Sequence, residues 1–211
     1  MSYALLARKL LLKRDRYVSD GELKSDCKTI GISYTNAIKY LDKNKYIRRV
    51  LRGFFYVPSI EERKLHSSLP NVYEAIVRGM EYKKAKNWYF GLETAIKWAG
   101  ITHEVFTIHY VISDKIFRPK PITILGSRIK FVKLKKNLFS FGIIKTKNGL
   151  PYSDLEKTLL DMIHLNKYGG KTDAHIRDYI IEWFDKANKN KIKKYAKHYP
   201  KSTQEFVEKL K

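Results

Sequence analysis

Apolar positions in the first sixty residues form three stretches at helical spacing, followed by two short runs that alternate. Leu5, Leu6 and the run from Lys9 to Leu12 put leucines three and four positions apart, leaving Arg8, Lys13 and Arg14 to solvent, so a helix is expected over roughly residues 2–14. Ser19 with Glu22 three residues on is a capping-box pattern, and it opens a second helix through Leu23 to about Lys28. Gly31 supplies a tight turn. Ser33 is then placed to cap a third helix whose Ala37, Ile38 and Leu41 share one side. After Asn44, Tyr46–Leu51 reads as a strand, Arg52-Gly53 as a turn, and Phe54–Val57 as a second strand stopped by Pro58. Three helices and a hairpin in this order predict a winged helix-turn-helix over residues 1–60.

The stretch from Pro58 to Pro70 has turn residues at both ends and a charged middle, and the domain boundary is expected there. A helix pattern follows over about Asn71–Tyr82, then a strand at Trp88–Phe90 stopped by Gly91, and a helix over Leu92–Trp98 ended by Gly100. Val105–Ile112 is the strongest strand pattern, and Ile122–Leu125, Ile129–Leu134 and Phe139–Ile144 are shorter ones. Beyond Pro151 the spacing is helical again. Ser153 is read as the cap of a helix through about Leu165, Thr172 and Asp173 open another through about Ala187, and two shorter helices follow. The fold class expected is α/β in the α+β sense, with a winged helix-turn-helix followed by a mixed αβ domain over residues 61–211 that carries a helical cap at its carboxyl end.

Composition adds a partner. The chain has 43 Lys and Arg against 21 Asp and Glu, a formal charge of +22, more than solubility requires and self-repelling unless something anionic offsets it. Nucleic acid is the leading candidate. No run approaches the eighteen or so apolar residues of a membrane span, and Arg8 and Lys9 interrupt the apolar amino terminus, so neither a membrane nor a signal peptide is expected. The single cysteine, Cys27, forms no internal disulfide and no zinc cluster and is read as a packed thiol of a cytoplasmic protein.

B-DNA admits one helix into its major groove, and the helix-turn-helix presents polar residues near the start of its second helix. Residues 19–43 meet that requirement. Asn36 is suited to adenine, Thr35 to a thymine methyl or phosphate, and Lys39 and Lys43 to phosphate or guanine, with Ser33 and Tyr34 at the helix start. Arg48, Arg49 and Arg52 lie in or beside the wing, where arginine enters the minor groove or grips phosphate. Residues 1–60 hold 13 basic and 5 acidic side chains, a charge of +8, and the remainder is +14. The second domain must therefore also meet nucleic acid or something acidic.

The order of residues 1–57, the helix Leu92–Trp98 and the segment Tyr152-Ser153-Asp154-Leu155-Glu156-Lys157-Thr158-Leu159-Leu160-Asp161 together resemble the AbiEi-type antitoxins of type IV toxin–antitoxin systems. The resemblance reaches to about residue 165. It implies a winged helix that represses its own operon and a carboxyl-terminal domain that antagonises a nucleotidyltransferase-like toxin. Read without the family, Ser153 and Glu156 form a second capping box, Asp154 complements the helix dipole, and Thr158, Leu159, Met162 and Ile163 face the core.

Enzyme chemistry finds little support. Histidines at 66, 103, 109, 164, 175 and 198 show no ligand spacing, so no metal is expected. His103 with Glu104, and Asp161 with His164, are the nearest approaches to catalytic pairs. Gly169-Gly170-Lys171-Thr172 lacks the upstream glycine of a phosphate-binding loop, since Leu165 stands there, and reads as a loop and helix start. The middle strands are almost free of the carboxylates a nuclease needs. The chain is thus expected to be a DNA-binding transcriptional regulator with double-stranded DNA and, by the resemblance, a toxin as partners, without cofactor or catalysis. A protein-interaction module that neutralises an acidic partner is the alternative, and a nucleic-acid-processing enzyme the third reading.

Overall fold

The computed structural model describes residues 2–65 and 71–210. The chain divides into two compact units, residues 1–86 with 123–127, and residues 87–122 with 128–211.

The first unit is a winged helix. Its elements are α1 (Ser2–Leu11), β1 (Tyr17–Ser19), α2 (Asp20–Ile30), α3 (Tyr34–Lys43), β2 (Arg48–Leu51) and β3 (Phe54–Tyr56), followed by α4 (Ile60–Leu65) and α5 (Val72–Tyr82). β1 was not expected from the sequence. It makes the wing a three-stranded sheet of order β1-β3-β2, with β3 antiparallel to both neighbours. The core joins Leu6, Ala7 and Leu10 of α1 to Val18, Leu23, Cys27, Ala37, Leu41, Ile47, Phe55 and Val57. Leu5 and Leu12, expected in the buried stripe, are exposed, because α1 ends at Leu11 and turns only one narrow face inward. Cys27 is a buried free thiol.

The expected boundary at 58–70 falls inside this unit, and its stretch from residue 66 on, His66 included, lies outside the described residues. The reason is α5, which packs on β2 and β3. Gly79 permits this: a Cβ there would stand 2.9 Å from Leu51 Cδ1. Tyr82 completes the contact by stacking on Phe54 with ring centroids 4.8 Å apart.

The second unit is a mixed sheet covered by helices. Its strands are β4 (Trp88–Phe90), β5 (Ile108–Ser113), β6 (Ile122–Ile124), β7 (Ser127–Lys133), β8 (Ile143–Lys145) and β9 (Pro151–Ser153), in the order β6-β7-β5-β4-β9-β8, residues 123–127 excepted, which group with the first unit. β4 runs antiparallel to β5 and parallel to β9, with Phe90 opposite Tyr152, and β5 runs parallel to β7. β9 escaped the sequence reading because three residues, one of them proline, carry no period. The helices are α6 (Glu93–Trp98), α7 (Leu155–Tyr168), α8 (Asp173–Phe184), α9 (Lys189–Ala196) and α10 (Lys201–Lys209). α7 packs against α8, α9, α10, α6 and β9 and forms the centre of the unit. Leu159, Leu160, Met162, Ile163, Ile176, Ile180, Trp183 and Phe206 fill the core around it. The helical cap at the carboxyl end is as the sequence implied.

Among the described residues no helix is long and apolar enough to cross a membrane.

Candidate nucleic-acid interface

The helix-turn-helix is built from local signals. Ser19 Oγ accepts the Glu22 amide at 3.2 Å and Glu22 Oε2 accepts the Ser19 amide at 2.9 Å, so both halves of the capping box are made. Burial pushes the Glu22 carboxyl up, but the Ser19 amide, Lys13 and the Ser19 hydroxyl outweigh it and hold it below its usual range. At the other end Gly31 takes φ 75, and its amide and that of Ile32 close on the carbonyls of Lys28 and Cys27. Only glycine adopts this left-handed turn without cost. Ser33 occupies the N-cap position of α3 in extended conformation, yet its side chain makes no capping bond. The hydroxyl is exposed and left for other contacts.

On α3, Ala37 and Leu41 are buried while Thr35, Asn36, Lys39 and Lys43 are exposed. Asn36, Lys39 and Lys43 are spaced by three and four residues and so form one line along the helix. Tyr34 is half-buried at its start, with the Lys24 ammonium 5.3 Å from its ring centroid. Burial pushes the Tyr34 phenol up and the charge of Asp20 adds to this, whereas Lys24 and Arg49 oppose it. Arg49 of the wing therefore lies within electrostatic reach of the start of α3. Sequence reasoning missed Lys24 as a member of this group. Its spacing of four from Asp20, with which it pairs at 3.3 Å, was the available signal.

The wing is short. Leu51 pairs with Phe54 across the two-residue turn Arg52-Gly53. Gly53 has φ 78, and a Cβ there would stand 3.0 Å from the Tyr82 hydroxyl. The turn is clamped from three sides. The Asp20 amide donates to the Gly53 carbonyl at 2.8 Å, the Lys83 ammonium donates to the Arg52 carbonyl at 2.7 Å, and the Tyr82 hydroxyl holds Asp20 Oδ1 at 2.8 Å. Arg52 is thus exposed on a fixed support. Arg48 and Arg49 leave β2 on opposite faces, as successive strand residues must. Arg49 is exposed and crosses the Phe55 ring, whereas Arg48 is half-buried with its Nε shielded and without a hydrogen-bond partner among the described residues.

Some cations of this unit are compensated internally, while Arg8, Arg14, Lys28 and Lys45 have no carboxylate partner among the described residues. Lys9 pairs with Asp26 at 2.6 Å, Lys13 with Glu22 at 3.0 Å and Arg16 with Glu62 at 3.5 Å. Lys39, Lys43, Arg49 and Arg52 have no carboxylate partner among the described residues.

The Ser153–Asp161 segment of the second unit is occupied internally. The N-cap of α7 is Asp154 rather than Ser153: Asp154 Oδ1 accepts the Lys157 amide at 2.9 Å. The expected Ser153–Glu156 box is therefore not made, since β9 holds Ser153 one residue too early and its hydroxyl meets that of Thr158 at 2.6 Å. Glu156 reaches forward instead, accepting the Asn188 amide at 3.0 Å and pairing with Lys191 at 2.9 Å. Thr158, Leu159, Met162 and Ile163 are buried as expected. Asp161 does not form a dyad with His164. It is fully buried, with Tyr89, Tyr199 and Lys157 on its two oxygens, and His164 meets the Tyr199 ring edge-on. His103 and Glu104 are both exposed. Gly169 ends α7 and Thr172 caps α8 through the His175 amide, a loop and helix start.

No family model and no curated protein matches the chain. Among solved structures it is similar to the RV2827C protein from Mycobacterium tuberculosis, with a TM-score of 0.60 at 12% identity, over 100% of this chain and 76% of that one. At that identity the likeness is one of fold.

Proposed function

We propose that the chain is a DNA-binding transcriptional regulator whose α3 enters the major groove, with Asn36 reading a base edge, Lys39 and Lys43 on phosphate or guanine, and Arg49 and Arg52 on the backbone beside it. The observation that carries this reading is the uncompensated set Lys39, Lys43, Arg49 and Arg52 beside an exposed polar helix start. Unpaired cations on a rigid support release counterions when they meet phosphate and have no internal partner to lose. The clamped wing supports it further, because a fixed turn loses little freedom on binding.

Within this reading the protein is an antitoxin-like autorepressor, the role the AbiEi resemblance implies. Its test is a mobility shift with the DNA upstream of its own gene. A complex forming at about 10 nM protein, resistant to excess unrelated duplex and weakening steeply with salt, is expected. Equal affinity for all duplexes, or none, overturns it.

The second reading, a module that neutralises an acidic partner, is favoured by Lys193 and Lys194 of α9 and Lys197 just after it, all exposed. A toxin contact would use that face, not the Ser153–Asp161 segment, whose polar groups are bound within the unit. Co-purification with the product of the adjacent reading frame tests it.

A further inference from the structure

The second unit contains a cavity of about 550 Å³ that has no part in the DNA reading. Val132 and Met162 line it with apolar surface, Tyr110, Phe117 and Tyr179 with aromatic rings, and Glu93, Lys130 and His175 with polar groups, the Lys130 ammonium being engaged by the Pro119 carbonyl. A volume of this order suits a small organic molecule.

Glu93 is held in place by its neighbours. Leu92, just before it, takes φ 54 and ψ −137, a conformation rare for a residue with a side chain and kept where surrounding structure imposes it. Gly91 fits against the strand only without a Cβ, which would come within 2.7 Å of Ile112 Cγ1. On the other side Thr94 Oγ1 accepts the Tyr110 amide at 2.8 Å.

The carboxylate is half satisfied. Glu93 Oε1 accepts a hydrogen bond from the Tyr179 hydroxyl, while Oε2 is shielded from water and has no partner among the described residues. Burial and the neighbouring Glu93 push the Tyr179 phenol up, so it stays a donor. The other carboxylates of this unit's interior differ. Asp161 and Glu156 each have both oxygens engaged. A buried acceptor left open is costly unless a ligand or water fills it.

We propose that this cavity binds a small planar molecule that presents N–H donors, its edge on Glu93 and its faces against Tyr110, Phe117 and Tyr179. An acceptor carboxylate repels anions and selects N–H edges, and aromatic walls select flat rings. Amidinium groups and the guanine ring share that edge.

All three tryptophans, Trp88, Trp98 and Trp183, belong to this unit, and Trp183 meets the Tyr179 ring edge-on at 5.6 Å. Titrating the full chain with benzamidine and with guanosine, followed by tryptophan fluorescence and melting temperature, should give a saturable response to at least one. Benzoate, planar but anionic, should bind more weakly than either. A response to benzamidine alone identifies a cationic ligand, and one to guanosine alone a purine. Glu93→Gln should lower the affinity about tenfold with an unchanged circular dichroism spectrum. Tyr179→Phe, which keeps the carboxylate, should weaken it by less. Silence towards both probes, equal binding of benzoate, or full affinity in Glu93→Gln overturns the proposal. DNA binding is measured on the other unit and stands or falls separately.

Discussion

The Tyr199 hydroxyl donates to Asp161 Oδ1 at 2.6 Å, across thirty-eight residues of chain. The same carboxylate takes the Tyr89 hydroxyl at 2.6 Å and the Lys157 ammonium at 3.3 Å, and both members of the ion pair are fully buried. Burial pushes the Lys157 ammonium down, and the Asp161 charge opposes it. The pair is held by hydrogen bonds and by aromatic faces, with the Lys157 ammonium 4.8 Å from the ring centroids of both Tyr89 and Phe141.

Breaking this group from one side should be severe. Asp161→Asn leaves Lys157 uncompensated and is expected to cost about 3–5 kcal/mol in urea unfolding, while Tyr199→Phe costs about 1–2 kcal/mol. Replacing both members, as Lys157→Met with Asp161→Leu, should recover most of the loss. Additive losses in the double variant would show that the pair is not coupled.

Acid should loosen α9 from α7. Burial would raise the Glu156 carboxyl, but the Asn188 amide and Lys191 outweigh it and hold it below its usual range. A lowered carboxyl contributes stability above its unfolded value of 4.5 and loses it as pH falls through the folded value. Lys191 is shifted the other way: burial lowers it, Glu156 and Asp154 raise it further, and its contribution persists below 10.5. Lys191→Met should therefore cost about 1 kcal/mol after screening of its partly exposed ammonium, evenly from about pH 5 to 10. The difference between the two proteins should begin to shrink as pH falls below 4.5 and vanish below the folded value of Glu156, a profile that pH-dependent unfolding measures directly.

The two serines before α2 and α3 should behave differently. Ser19→Ala removes a complete capping box and is expected to cost about 1–2 kcal/mol. Ser33→Ala removes no capping bond and should stay within about 0.5 kcal/mol. Thermal unfolding of the pair tests this, and equal costs would contradict the cap geometry.

For DNA, Arg49→Glu should weaken binding to every duplex and shallow the dependence of log K on log salt by roughly one or two units. Asn36→Ala should leave that slope alone and lose about 1–3 kcal/mol of preference between operator and altered operator. Mobility shifts over a salt series separate the two. If neither variant changes binding, α3 and the wing are not the reading surface.

The winged helix was legible because its signals are local. A serine, a glutamate three residues on and a left-handed glycine lie within thirteen residues of chain, and each acts through the backbone beside it. β1 was not legible, since Tyr17–Ser19 is a strand only because Phe54–Tyr56 lies alongside. Nor was the place of α5: its amphipathic pattern told that a face would be buried, but the partner is the wing, chosen by the absence of a side chain at Gly79. Lys157 is the sharpest case. A lysine in a helix reads as a solvated residue, and its burial depends on aromatic rings distant in sequence, from β4, from the loop before β8 and from beyond α9. On the candidate interface, the exposed line on α3 followed from helical spacing, whereas the opposite fates of Arg48 and Arg49 depend on which face of β2 each leaves.

The Lys157–Asp161 pair also sets a timetable for synthesis. Domains fold as they emerge, amino-terminal first, and everything in the first unit up to Lys86 is available early apart from residues 123–127. The second unit cannot close in the same progressive way. Its β4 waits for β9, and α7 carries a lysine and an aspartate that lack a full set of partners until Tyr199 has left the ribosome. A nascent chain stalled before that residue would hold a finished winged helix beside an open αβ unit, its ion pair still wet.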